Sequence, residues 1–147
     1  MTKKGFTLIE ISVVIGIIVL MALVSIPYFR DYQSHTKLKT DALTLISNLR
    51  LAQQYTVSEQ NTYLIKLISN ATPKYQLIKR VGESDTLIEE KNLNQGINWQ
   101  NTGGFSNNEI IFTSTGAVLQ AGDIILIDDL GKTFTVEVKP SGYVRLN

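Results

Sequence analysis

The chain has 147 residues, enough for one domain with a modest core plus a short additional segment. Its 14 lysines and arginines nearly balance its 13 aspartates and glutamates, so net charge does not draw it to nucleic acid or acidic lipid. It contains no cysteine, which excludes disulfides, thiolate chemistry and cysteine-based zinc sites, and which is compatible with either side of a membrane.

The apolar residues are concentrated near the N-terminus. Between Phe6 and Phe29 the only side chain that is charged at neutral pH is Glu10. With its flanks the run reaches the roughly 20 residues that a bilayer-spanning helix needs, and its gain on insertion exceeds the cost of a carboxylate near one end. Lys3 and Lys4 precede it, so the positive-inside rule predicts a cytoplasmic N-terminus and an extracytoplasmic remainder.

Three other interpretations of this run compete with that one. A cleaved secretory signal has a shorter apolar core and a small-residue cleavage site, whereas this run leads into PYFRDYQ. A buried core helix is disfavoured because no polar face runs along the segment. A plain single-pass anchor stays open, but it gives Glu10 no partner, and ionisable groups in membrane segments usually have one.

The stretch KKGFTLIE resembles the processing site of type IV prepilins and of the pseudopilins of type II secretion and competence systems. In that family a membrane peptidase cuts after the leader's glycine and methylates the new N-terminus. The resemblance implies a leader ending at Gly5, an N-methylated Phe6, and an assembly role for Glu10 through the N-terminal amine of a neighbouring subunit. A lone carboxylate in hydrocarbon is costly and a paired one less so. At Pro27, where this class often has a proline, we expect a helix kink.

After the apolar run the pattern becomes amphipathic. The apolar stripe steps by four and three residues, as one face of a helix does, through Leu38, Ala42, Leu45, Leu49 and Ala52. This pattern predicts one long helix over about residues 6–58, of which one half is membrane anchor and the other half packs under a sheet.

Short apolar segments separated by turn residues follow the helix. They predict strands at 63–68, 75–81, 86–90, 109–114, 117–120, 123–128 and 134–138, with a closing segment at 143–147. Residues 92–108 are rich in Asn and Gly and are predicted to form a loop. A long helix followed by an antiparallel sheet is an α+β fold.

This downstream half resembles the globular domain of H-type minor pseudopilins and T-type fimbrial minor pilins. The shared features are an I-x-F-x-x-x-G strand and turn and a closing G-x-V. Here they fall on Ile110, Phe112, Gly116, Gly142 and Val144.

Sites for chemistry are sparse. His35 is the only histidine, which excludes a histidine metal cluster; we expect no Ser-His-Asp triad, and we place His35 on the exposed helix face. Asp123, Asp128 and Asp129 are candidate calcium ligands, but Asp before a hairpin glycine is better explained by turn geometry. We predict no metal and no cofactor.

Two surface features admit other functions. The basic residues Lys66, Lys74, Lys79 and Arg80 could form a patch for DNA, although a solvated strand face is the better interpretation. The aromatic residues of the predicted loop, Trp99 and Phe105, are expected to anchor it to the core.

The sequence therefore predicts a non-enzymatic filament subunit. The predicted segments are a leader (1–5), a transmembrane and filament-core helix (6–29), its amphipathic continuation (30–60) and a β-rich domain (61–147). The implied partners are the prepilin peptidase and methyltransferase, related pilin subunits, an inner-membrane assembly platform and the membrane. The alternatives are a membrane-anchored extracytoplasmic binding domain that does not polymerise, and a DNA-uptake minor pilin.

Overall fold

The computed structural model describes residue 5 and residues 7–147, except the side chains of residues 24–27. One α-helix, α1, spans Leu8–Glu59. The chain divides into two compact units, one ending at Gln33 and the other comprising Ser34–Asn147, and we describe each by itself. Phe6 and the Pro27 side chain lie outside the described residues, so the kink stays a prediction.

In the second unit the predicted stripe of α1 is the buried face of the helix. Leu38, Ala42, Leu45, Leu49 and Ala52 are all completely buried. Spacings of three and four residues keep these side chains on one side of the helix, where they pack on the β-strands.

Eight strands follow α1. They are β1 (Thr62–Ile68), β2 (Lys74–Val81), β3 (Ser84–Asn92), β4 (Ile97–Thr102), β5 (Glu109–Ile111), β6 (Gly122–Asp128), β7 (Thr133–Val138) and β8 (Val144–Leu146). They form two four-stranded sheets with the orders β3-β2-β1-β5 and β4-β6-β7-β8, and all the pairings are antiparallel. The α+β class is confirmed, and the strands are divided between two sheets.

Two sequence predictions are wrong. Residues 92–108 are not a continuous loop, because β4 lies within them and buries Ile97 and Trp99 while Asn98 and Gln100 face solvent. This two-residue alternation is a strand signal, which the Asn and Gly content of the segment hid. Residues 117–120 form no strand; only an isolated bridge joins Val118 to Phe112.

The two aromatic side chains of that segment anchor it to the core, as predicted. Trp99 is buried, and its Nε1–H donates a hydrogen bond to the Ile68 carbonyl at 3.1 Å. Phe105 is also buried and packs close to the backbone of Gly103 and Gly122. A buried indole needs such an acceptor, so Trp99 links the two sheets.

Candidate functional site: the N-terminal helix and its first turn

The first half of α1 is bare. Every described side chain from Leu8 to Leu23 is exposed, although most of them are Leu, Ile or Val. The helix α1 as a whole contains an 18-residue window with a mean hydropathy of 2.8, of which 0% is buried, so α1 is long and apolar enough to cross a membrane. None of the residues that the structure describes covers these side chains, so they form a continuous exposed apolar surface.

The first turn of α1 explains how Glu10 is tolerated. The backbone N–H of Thr7 donates to Glu10 Oε2 at 3.2 Å, and the Thr7 hydroxyl lies 3.3 Å from the same oxygen. In return the Glu10 backbone N–H donates to Thr7 Oγ1 at 3.3 Å. This reciprocal pair is a capping box, which satisfies N–H groups that a helix start leaves unpaired. A carboxylate is also favoured there by the helix dipole.

This cap is not among the sequence predictions above, although its signal is present in the sequence. The order Thr-x-x-Glu before an apolar run is the signature of a capping box, and residues 7–10 read TLIE. Thr7 is therefore a second residue that acts on Glu10. Gly5 is exposed, and a Cβ at this position would meet nothing within 4 Å.

In the second unit the residues of the I-x-F-x-x-x-G and G-x-V features come together. Ile110, Phe112 and Val144 are buried in the core. The two glycines are in contact across different turns, because a Cβ on Gly142 would overlap the carbonyl oxygen of Gly116. The side chain of Gln53 on α1 donates to that same carbonyl at 2.6 Å. The motif thus joins the helix to two β-turns.

The candidate calcium ligands Asp123, Asp128 and Asp129, for which turn geometry was the preferred explanation, form no metal site within the described residues. The Asp128 carboxylate accepts hydrogen bonds from the Ser34 hydroxyl at 2.7 Å and from the backbone N–H groups of Leu130 and Lys132. These bonds form the turn geometry that the sequence suggested. Burial alone would raise its pKa, but the hydrogen bonds outweigh burial and lower it. Within residues 7–147 no three His, Cys, Asp or Glu side chains are placed to hold a metal ion together.

Asp129 instead lines an open cleft of about 640 Å³. The other lining residues come from 71–73 and 92–98, and most of them are small or carry amide groups. One wall of the cleft is fixed by Asp41 of α1, whose carboxylate accepts the backbone and side-chain N–H groups of Asn94 at 2.8 and 2.7 Å. Burial raises the pKa of Asp41. Asp41 lies beside the apolar stripe of α1, and it is buried because it bonds this loop.

The predicted basic patch is neutralised. Each of its four cations has a carboxylate partner: Lys66 pairs with Glu109 at 3.1 Å, Lys74 with Glu90 at 3.0 Å, Lys79 with Glu59 at 2.7 Å, and Arg80 with Asp85 at 2.7 Å and with Glu109 at 3.0 Å. A phosphate-binding surface needs cations that are free to pair with phosphate oxygens. The geometry therefore does not favour DNA binding at these residues.

His35 is exposed, as predicted. Its ring packs edge-to-face on Phe134 of β7, with the ring centroids 5.4 Å apart. Together with the bond between Ser34 and Asp128, this contact fastens the beginning of the second unit's helix to the hairpin of β6 and β7. The histidine is thus explained by packing.

A helix with a bare apolar half, followed by a half that packs on antiparallel sheets, is the architecture of pilins and pseudopilins. No protein-family model matches the chain. The chain is 38% identical over 72 residues to a fimbrial protein of Pseudomonas aeruginosa, a match covering 49% of this chain and 44% of that protein. It is 38% identical over 61 residues to the type IV major pilin protein PilA of Myxococcus xanthus, covering 42% of this chain and 27% of that protein. The chain thus spans less than half the length of these relatives.

Two solved structures share the fold. The minor pseudopilin EpsH of the type 2 secretion system of Vibrio cholerae is 12% identical, with a TM-score of 0.61 over 76% of this chain and 96% of that chain. The type IV minor pilin FimU of Pseudomonas aeruginosa is 13% identical, with a TM-score of 0.65 over 79% of this chain and 92% of that chain. The resemblance to type IV pilins and pseudopilins is confirmed in sequence by the curated relatives and in fold by these structures.

Proposed function

We propose that this chain is a structural subunit of a type IV pilus-like or type II secretion pseudopilus filament, and that it acts by assembly without chemistry of its own. The observation that carries the proposal is the bare first half of α1, joined in one chain to a fully packed β-rich unit. An exposed apolar helix of this length needs a nonpolar environment that the folded unit does not provide. In the unassembled subunit that environment is the bilayer, and in the filament it is a bundle of the same helices.

Processing creates the second partner of Glu10. Cleavage after Gly5 by a prepilin peptidase would make Phe6 the N-methylated terminus and leave its amine positively charged. Lipid-facing apolar surfaces give helices little reason to associate, so a charged pair sets both affinity and register. The cap with Thr7 engages only Oε2 within the described residues. Oε1 can then accept the amine of a neighbouring subunit while the cap stays formed.

The orientation follows from the leader. Lys3 and Lys4 place the N-terminus in the cytoplasm and residues beyond the span outside it. Subunits would be drawn from the inner membrane by an assembly platform. The paired cations of the second unit support protein contacts rather than DNA as the role of its outer face. A monomeric anchored binding domain is the rival function, and it requires an uncut leader.

The N-terminus and the filament yield test the proposal. Mass spectrometry of the native protein should find a methylated Phe6, and Gly5→Leu should stay uncut in the membrane. Glu10→Val should insert into the membrane and be cut, but its filament yield should fall about tenfold or more. Loss of about 1.4 kcal/mol of binding free energy per subunit contact corresponds to a tenfold change.

Ser12→Val is the matched control for Glu10→Val. It removes a different polar group from the same exposed segment, a hydroxyl whose only hydrogen bond among the described residues is to the Leu8 carbonyl, and the variant should assemble normally. An intact Met1 in the native protein, or equal filament yields from Glu10→Val and wild type, would count decisively against the proposal.

A further inference from the structure

Three aromatic side chains follow the apolar span. Tyr28, Phe29 and Tyr32 are 74%, 61% and 70% exposed, which is unusual for rings of this size. Among the residues that the structure describes, none of the three makes a hydrogen bond or a ring contact. The folded unit therefore does not explain them.

Helix geometry places the three rings on one side of α1. At about 100° per residue, Tyr32 lies about 40° from Tyr28, and Phe29 lies about 100° from it. The charged residues Arg30 and Asp31 fall outside this arc. The rings thus form one continuous amphipathic aromatic face, with two hydroxyl groups among apolar ring surface.

The position of this face along the helix matches the dimensions of a bilayer. The backbone from Leu8 to residue 27 rises about 30 Å, the thickness of the hydrocarbon core. From Tyr28 to Tyr32 the helix rises about 6 Å, close to the roughly 5 to 7 Å of one headgroup layer. Tyr and Trp are enriched at this depth because their rings are apolar and their polar atoms reach water.

We propose that Tyr28, Phe29 and Tyr32 form an aromatic belt that binds the lipid headgroup layer from which residues 33–147 emerge. The belt fixes the depth of the unassembled subunit in the bilayer. This proposal rests on the proposed anchoring function, and it adds the position at which the membrane-spanning segment ends. Lipid is the partner because the belt continues the apolar span without a break and its length fits one headgroup layer.

The belt has a consequence for Glu10. With Tyr28 held at one interface, Glu10 lies about 27 Å further along the helix, close to the opposite edge of the hydrocarbon core. A carboxylate costs least at that edge. The belt therefore keeps Glu10 and its cap near the interface instead of letting the helix slide.

Depth-dependent fluorescence quenching tests the belt. The full chain is reconstituted in phosphatidylcholine vesicles whose acyl chains carry bromine either near the headgroup or near the chain end. Tyr32→Trp reports on the belt, and Ile17→Trp reports on the middle of the span. Both positions are exposed, so neither substitution disturbs a core. The parent protein, with Trp99 buried in the folded unit, gives the baseline.

We expect headgroup-side bromine to quench Tyr32→Trp at least twofold more than chain-end bromine does, with the opposite order for Ile17→Trp. If Tyr32→Trp is quenched equally by both lipids, or not at all, while the protein floats with the vesicles, the belt is refuted and anchoring stands. If the protein does not float with the vesicles, the anchoring function fails and the belt with it.

Discussion

The junction of Gly116, Gly142 and Gln53 gives the most quantitative prediction. Gly142 has φ +80, in the left-handed region, and a Cβ there would overlap both the Gly116 carbonyl oxygen and Gln53 Nε2. Gly142→Ala therefore carries two costs, one from the backbone conformation and one from the overlap. The second cost is the larger because the nearest atom belongs to the backbone, which cannot rotate away.

The two costs can be separated with a second glycine. Gly131 has φ +79, but a Cβ there meets nothing within 4 Å. Gly131→Ala should cost about 1 kcal/mol, which is the left-handed penalty less the entropy that alanine removes from the unfolded chain. Gly142→Ala adds about 1 kcal/mol for the lost hydrogen bond from Gln53 and about 1 to 2 kcal/mol for the backbone shift, about 3 to 4 kcal/mol in total.

Urea unfolding of the full chain in detergent measures this difference. Trp99 reports on the second unit, because it is buried between the two sheets. We expect the free energy of unfolding to fall about 2 to 3 kcal/mol further for Gly142→Ala than for Gly131→Ala, with equal denaturant slopes. Equal losses of unfolding free energy in the two variants would show that Gly142 is required only for its backbone conformation. The close approach of Gly142 to the Gly116 carbonyl would then not contribute to stability.

Two further predictions concern carboxylates. Thr7→Val should destabilise the first turn of α1 by about 1 kcal/mol and raise the rate of amide hydrogen exchange there about fivefold, because it removes the cap. Thr7→Ser keeps the hydroxyl and should leave the exchange rate unchanged. An unchanged exchange rate in Thr7→Val would disprove the cap on Glu10. Burial raises the pKa of Glu109, but hydrogen bonds from Arg80 and Lys66 outweigh it and lower the pKa below the ordinary 4.5. Its stabilisation is therefore present above pH 4.5 and lost as the pH falls through the lowered pKa, so Glu109→Gln should cost about 1 to 2 kcal/mol in urea unfolding at pH 7, and this cost should shrink as the pH falls below 4.5. A cost that does not vary with pH would contradict this assignment.

The parts of the fold that the sequence predicts well are those set by periodicity. The stripe from Leu38 to Ala52 is wholly buried because helical spacing leaves no other face for it. The alternation of Val136 and Val138 with polar neighbours likewise placed β7. Composition is a weaker guide than periodicity. The high Asn and Gly content of residues 92–108 predicted a loop, whereas the alternation that buries Ile97 and Trp99 forms the strand β4.

Long-range polar contacts could not be predicted from the sequence. Asp41 and Asn48 lie beside the stripe and look solvated, yet both are buried. Each has a partner far along the chain: Asn94 bonds Asp41, and the Tyr75 hydroxyl accepts from Asn48 at 2.8 Å. A buried polar group is tolerated only with such a partner, and pairing across tens of residues leaves no local pattern. The division of the strands into two sheets escaped prediction for the same reason.

The proposed function requires Glu10 to be tolerated in two environments, the bilayer and the filament. A carboxylate that had only the neighbouring subunit's amine as partner would be uncompensated until assembly, and insertion would then bear its full cost. The Thr7 cap removes that difficulty, because it supplies two donors from within the same turn. In the proposed filament, assembly would add a charged partner to a carboxylate that is already oriented. The proposal therefore predicts that membrane insertion and filament assembly respond differently to Thr7→Val and Glu10→Val.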